Sequence, residues 1–151
     1  MQIMDETVHD PYQLKGKLHE PTTCPQCNAV FLKGRWQWSL APAGAHQALC
    51  PACQRIRDKF PAGYVAIAGP YALNHRVDLL NLIRHCEERA KAEHPLQRIM
   101  SIDTSVDQVL ITTTDIHLAR GIGEALHHAH QGDLDFHYEL DQYLLRVHWK
   151  R

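Results

Sequence analysis

The stretch CPQCNAVFLKGRWQWSLAPAGAHQALCPAC, residues 24–53, carries two Cys-x-x-Cys pairs with 22 residues between them. Two residues between cysteines let both thiolates of a tight knuckle point at one ion, and two such knuckles complete a tetrahedral shell of four sulfurs. A closed shell leaves no position for water or substrate, so Cys24, Cys27, Cys50 and Cys53 are read as ligands of one structural Zn2+. A proline follows the first cysteine of each pair (Pro25, Pro51) and pre-sets the turn. A redox site would need a single pair near the start of a βαβ unit. Nothing in the chain suggests electron transfer, which favours zinc over iron.

Working outward, the cysteine module spans residues 24–60 and concentrates positive charge. Lys33, Arg35, Arg55, Arg57 and Lys59 face only Asp58 there, while the chain as a whole carries −1. Those five cations, with Arg120 further on, are the candidate contacts to the phosphates of an RNA. If residues 29–38 form one strand, alternation puts Val30, Leu32, Trp36 and Trp38 on one side and Phe31, Lys33, Arg35 and Gln37 on the other. The tryptophans are then a floor covering the module or its joint to the next domain, and the cations are the contact surface.

Residues 1–23 show no sustained period and read as an extended lead-in. The start, MQIMDETVHD, is acidic and has neither the basic nor the apolar region of a secretion signal, and no run is long and apolar enough to span a bilayer. These features predict a cytoplasmic chain, in which paired cysteines bind metal sooner than they form disulfides.

Residues 64–151 alternate between periods of two and 3.6. YVAIA (64–68) predicts a strand. Tyr71 to about Glu93 predicts a helix with Leu79, Ile83, Cys86 and Ala90 on its apolar stripe, ended by His94-Pro95. QRIMSID (97–103) and QVLITT (108–113) predict two strands. Thr114 or Asp115 caps a helix running to about Gln131, and LDFHYE (134–139) and YLLRVHW (143–149) predict a closing hairpin. The fold class is α+β: an N-terminal four-cysteine zinc ribbon followed by a ferredoxin-like split β-α-β domain, in the order β-α-β-β-α-β-β.

Catalytic constellations are missing from the sequence. GIGEA (121–125) lies inside a helix and is no phosphate loop, and no serine has an evident base. Cys86 reads as a small buried hydrophobe. His117, His127, His128 and His130 read as a solvated helix face, although Glu124 and His128 have a spacing that could hold a metal. Thr112, Thr113, Thr114 and Asp115 read as ordinary capping residues rather than an anion site. A non-enzymatic protein with no small-molecule substrate is expected.

The pairing of CPQCNAVFLKGRWQW and CPACQRIRDKFPAGY with a downstream QVLITTT strand, a DIHLARGIGEAL helix and a GDLDFHY strand resembles the NMD-three family of large-ribosomal-subunit adaptors. It is also similar to small bacterial zinc-ribbon proteins of that kind. The resemblance covers roughly residues 24–150 and implies zinc at Cys24, Cys27, Cys50 and Cys53 and a ribosomal RNA or ribosome partner, in assembly or hibernation. The chain has one set of paired cysteines where that family typically has two, and no counterpart of its nuclear-export segments, so no export role carries over. The competing expectation is a protein-binding adaptor with a purely structural zinc ribbon.

Overall fold

The computed structural model describes residues 10–12 and 18–151; the reading of residues 1–9 and 13–17 as lead-in lies outside the described residues. Four short strands make the first sheet: β1 (Thr22–Thr23), β2 (Val30–Leu32), β3 (Arg35–Gln37) and β4 (His46–Gln47), in the order β3-β2-β1-β4. This sheet begins two residues ahead of Cys24, because Thr22 and Thr23 pair with Phe31 and Val30.

Residues 29–38 are a hairpin, not one strand. Lys33 (φ 55°) and Gly34 (φ 78°) both sit in the left-handed region, the two-residue turn whose twist suits an antiparallel pair. The turn resets the alternation. Phe31 faces Trp36 across the ladder, their ring centroids 5.5 Å apart, so Trp36 shares a face with Phe31 rather than with Val30 and Leu32.

The second cysteine pair opens α1 (Pro51–Asp58) instead of a second hairpin knuckle. Cys50 is the N-cap, its sulfur accepting from the Cys53 N–H at 3.3 Å, and Pro51 occupies the first helical position, where its missing N–H costs nothing. Lys59, in the left-handed region, closes the helix. The module is therefore a knuckle, a hairpin and a helix.

The larger sheet comprises β5 (Gly63–Ala68), β6 (Ile99–Thr104), β7 (Gln108–Thr113), β8 (Asp133–Glu139) and β9 (Leu144–Lys150), in the order β6-β7-β5-β9-β8. The expected first helix is broken at His75 into α2 (Pro70–Asn74) and α3 (Arg76–Glu93). The His75 ring stacks on Tyr71 at 3.8 Å and its Nδ1 pairs with the Tyr71 carbonyl. Leu79 and Ile83 are buried, with Cys86 and Ala90 half-buried beside them. Helix α4 (Ile116–His130) starts at Asp115, whose Oδ1 accepts from the Leu118 N–H at 3.0 Å.

The first half of the sheet follows the split β-α-β expectation: β7 lies antiparallel between β5 and β6. The second half departs from a ferredoxin-like sheet. There the strand after the second helix would lie beside β5; instead β9 pairs parallel with β5, and β8 takes the edge. Side-chain chemistry accounts for the exchange. β9 turns Leu145, Val147 and Trp149 into the core, whereas β8 alternates Leu134, Phe136 and Tyr138 with Asp133, Asp135 and His137. A strand with one wet face and charged residues suits an edge.

The core joins Val65, Ile67, Ile111, Ile122, Leu126, Val147 and Trp149, all at most 2% exposed. Gly123 lets α4 press against β9, since a Cβ there would lie 2.6 Å from Val147 Cγ1. Among the described residues no helix is long and apolar enough to cross a membrane.

Candidate metal centre

The first pair is shaped by a backbone knuckle. The Cys24 N–H donates to the Ala29 carbonyl and the Asn28 N–H to the Cys24 carbonyl, both at 2.9 Å, while Asn28 takes the left-handed conformation that closes the turn. The second pair lies in the first turn of α1, where unpaired N–H groups and the helix dipole favour negative sulfur. All four Sγ atoms fall within 4.8 Å of one another, with Cys24, Cys50 and Cys53 buried. A tetrahedron with 2.3 Å zinc–sulfur arms has edges of about 3.8 Å. The Cys27 and Cys50 sulfurs stand 3.7 Å apart, so a four-thiolate donor set of this size fits one zinc-sized cation. Among the described residues these four are the one group of His, Cys, Asp and Glu that converges in this way.

Trp36, Leu49 and Leu96 pack against the cysteines, and the Trp38 indole N–H donates to the Lys91 carbonyl at 2.7 Å. Trp36 thus packs beside the cysteine cluster, and Trp38 ties the module to the C-terminal end of α3.

The residue that sequence reasoning missed is Arg98. It lies just ahead of β6, is 7% exposed, and turns its guanidinium onto the sulfurs. Nη1 donates to Cys53 Sγ at 3.2 Å, and Nη2 donates to Cys27 Sγ at 3.0 Å and to Cys50 Sγ at 3.5 Å. Nε donates to the Pro95 carbonyl at 2.8 Å. Its main chain is held on both sides by Thr114, which accepts from the Arg98 N–H through Oγ1 and donates its own N–H to the Arg98 carbonyl, each at 2.9 Å. One signal could have pointed to it. Four thiolates around a divalent ion leave two negative charges, which a buried site must offset with a cation or several N–H donors.

Burial opposes ionisation of Cys24, but backbone N–H donors from Cys50, Cys27 and Gln26 outweigh it and bring the thiol down to about 7. Burial pushes Cys50 and Cys53 up, and the charge of Cys27 adds to the push, with Arg98 acting against it at both. Burial also disfavours the Arg98 cation, yet its bonds and charge contacts to Cys53, Cys50 and Cys27 more than offset that and raise its pKa.

The six candidate RNA cations differ in their surroundings. Lys33, Arg35 and Lys59 are exposed, as is Arg57, which pairs with Asp58 at 2.8 Å. Arg55 is a correction: it is 1% exposed, donates to Asp10 Oδ1 at 2.7 Å and to the Phe60 carbonyl at 2.8 Å, and lies over the Tyr12 ring. It falls one helical turn after Ala52 on the inward face of α1, so it cannot meet a phosphate. Arg120 pairs with Glu124 at 2.9 Å and covers Phe136.

Glu124 is thereby engaged by Arg120, while His127 and His130 pair with the Gly132 carbonyl and the Tyr71 hydroxyl. The threonine hydroxyls are also engaged: Thr112 with Ser101, Thr113 with the Asp115 carbonyl, and Thr114 with the Leu96 carbonyl. The half-buried Cys86 packs against the core, and burial raises its thiol. Comparison of the chain with protein-family models, curated proteins and solved structures finds no match.

Proposed function

We propose that the protein is a non-enzymatic, cytoplasmic zinc protein whose cysteine module contacts ribosomal RNA or the ribosome, as the resemblance to the NMD-three family implies. The convergence of four buried or half-buried thiols at zinc-binding distance supports the zinc part of this reading. Cys24, Cys27, Cys50 and Cys53 would hold the ion and fix the knuckle to α1. Zinc at such a site supplies folding free energy, since so few residues bury little apolar surface of their own. No open coordination position is left for chemistry on a substrate. RNA contact rests on the four exposed cations Lys33, Arg35, Arg57 and Lys59, three of which have no acidic partner among the described residues.

The test combines metal analysis with co-sedimentation. The purified chain should carry one zinc per molecule, and Cys53→Ser should abolish it. Binding to ribosomal particles should weaken with salt at a log–log slope of roughly −2 to −3, about −0.7 per neutralised phosphate. Replacing Lys33, Arg35 and Lys59 with glutamine should flatten that slope with zinc retained. A triple variant that sediments like wild type would move the contact elsewhere and favour a protein-binding adaptor.

A further inference from the structure

We propose that Arg98 makes the metal centre a joint between the two halves of the chain, so that zinc occupancy fastens the larger domain to the cysteine module. This rests on the reading of the four cysteines as a zinc site and adds a partner to it that none of the ligand motifs contains.

Arg98 is nearly fully buried, yet among the described residues it has no carboxylate within ion-pair distance. A buried cation without a counter-charge is strongly disfavoured. Among the described residues the candidates for that charge around its guanidinium are sulfurs, three of which accept its hydrogen bonds. Thiols would satisfy its geometry but not its charge; thiolates held on a metal satisfy both. Arg98 therefore fits a loaded centre, and it reaches that centre from the larger domain, where Thr114, at the β7–α4 junction, fixes its main chain.

The consequence is reciprocal. If zinc strengthens the seating of Arg98, then Arg98 strengthens the binding of zinc by the same factor, because both measure one coupling free energy. The planar fork matters as well as the charge. Its two terminal nitrogens reach three sulfurs while Nε is tied to Pro95, a geometry that a lysine ammonium cannot reproduce. Arg98 is a positioning residue, acting on the ion through the sulfurs.

The experiment uses the full chain as wild type, R98M and R98K. Zinc affinity is measured by competition with a chromophoric chelator, and amide hydrogen exchange is followed with zinc bound and removed. R98M should bind zinc about 10- to 100-fold more weakly, the usual effect of losing a group that orients metal ligands. R98K should fall between R98M and wild type. In wild type, removing zinc should speed exchange at Arg98 and Thr114, outside the module, and in R98M those amides should exchange fast with or without zinc. If wild type and R98M bind zinc equally, or if exchange at Arg98 and Thr114 ignores zinc, the joint is disproved while the zinc reading stands. If wild type binds no zinc, the functional reading fails first. Should R98M not fold, R98K and the wild-type exchange comparison still decide the matter.

Discussion

Arg55 and Arg57 sit two positions apart on α1, and their surroundings make them opposites. Arg55 is enclosed by Asp10, Tyr12 and Phe60, whereas Arg57 is exposed and paired with Asp58. Arg55→Gln should cost roughly 2–3 kcal/mol, because it strands Asp10 and removes a donor from the Phe60 carbonyl. Arg57→Gln should change stability by less than about 0.5 kcal/mol, as isolated surface pairs usually do. Urea midpoints at saturating zinc measure both, and equal effects would contradict the assignment of Arg55 to the interior. In the sequence the two arginines look alike, since charge alone does not reveal a face. The distinction needed the helix. Its start was written in Cys50-Pro51, but a proline inside a Cys-x-x-Cys pair also reads as a knuckle turn.

At the scale of elements, α4 offers a paired test of how closely helix and sheet approach. A Cβ at Gly121 would meet nothing within 4 Å, whereas one at Gly123 would lie 2.6 Å from Val147 Cγ1 and 3.0 Å from Leu134 Cδ1. Gly121→Ala should therefore stabilise by about 0.5–1 kcal/mol through helix propensity alone. Gly123→Ala should destabilise by about 1–2 kcal/mol as β9 is pushed away. Thermal midpoints moving in the same direction would refute this packing. The long elements α3, α4, β5 and β7 were legible because their periodicity extends over whole segments. The Lys33-Gly34 turn was not: Lys at a left-handed position is uncommon, and the apolar residues on either side fit one strand as well as two. The exchange of β8 and β9 was equally hidden, because a hairpin leaves open which of its strands joins the sheet.

For the whole molecule, the metal centre should be pH-sensitive. Burial holds Cys50 and Cys53 up as thiols when no metal is bound, although Arg98 acts against it. A zinc ion bound there would have to displace those protons, so its binding should release at least two of them and its affinity should fall as pH falls. Between about pH 8 and 6 the apparent Kd should rise by about two decades or more per pH unit. Calorimetry in buffers of different ionisation enthalpy counts the protons, and a pH-independent Kd would show that the sulfurs are not the ligands. The convergence of the four cysteines was legible from spacing alone, since the chemistry of a tetrahedral thiolate site restricts sequence so strongly. Arg98 was not, because its role depends on a contact between residues 27 and 98, which local pattern does not encode. The parallel pairing of β9 with β5 has a consequence of another kind, in time. Residues 63–68 leave the translation machinery long before residues 144–150 exist, and until then the middle of the sheet lacks one of its two neighbours. Closure must wait until residues 144–150 have emerged and ends with a nonlocal step of the slow sort, leaving the apolar flank of β5 in need of protection meanwhile. Trimming residues 144–150 would remove an interior strand, and the half-made domain would be prone to aggregate.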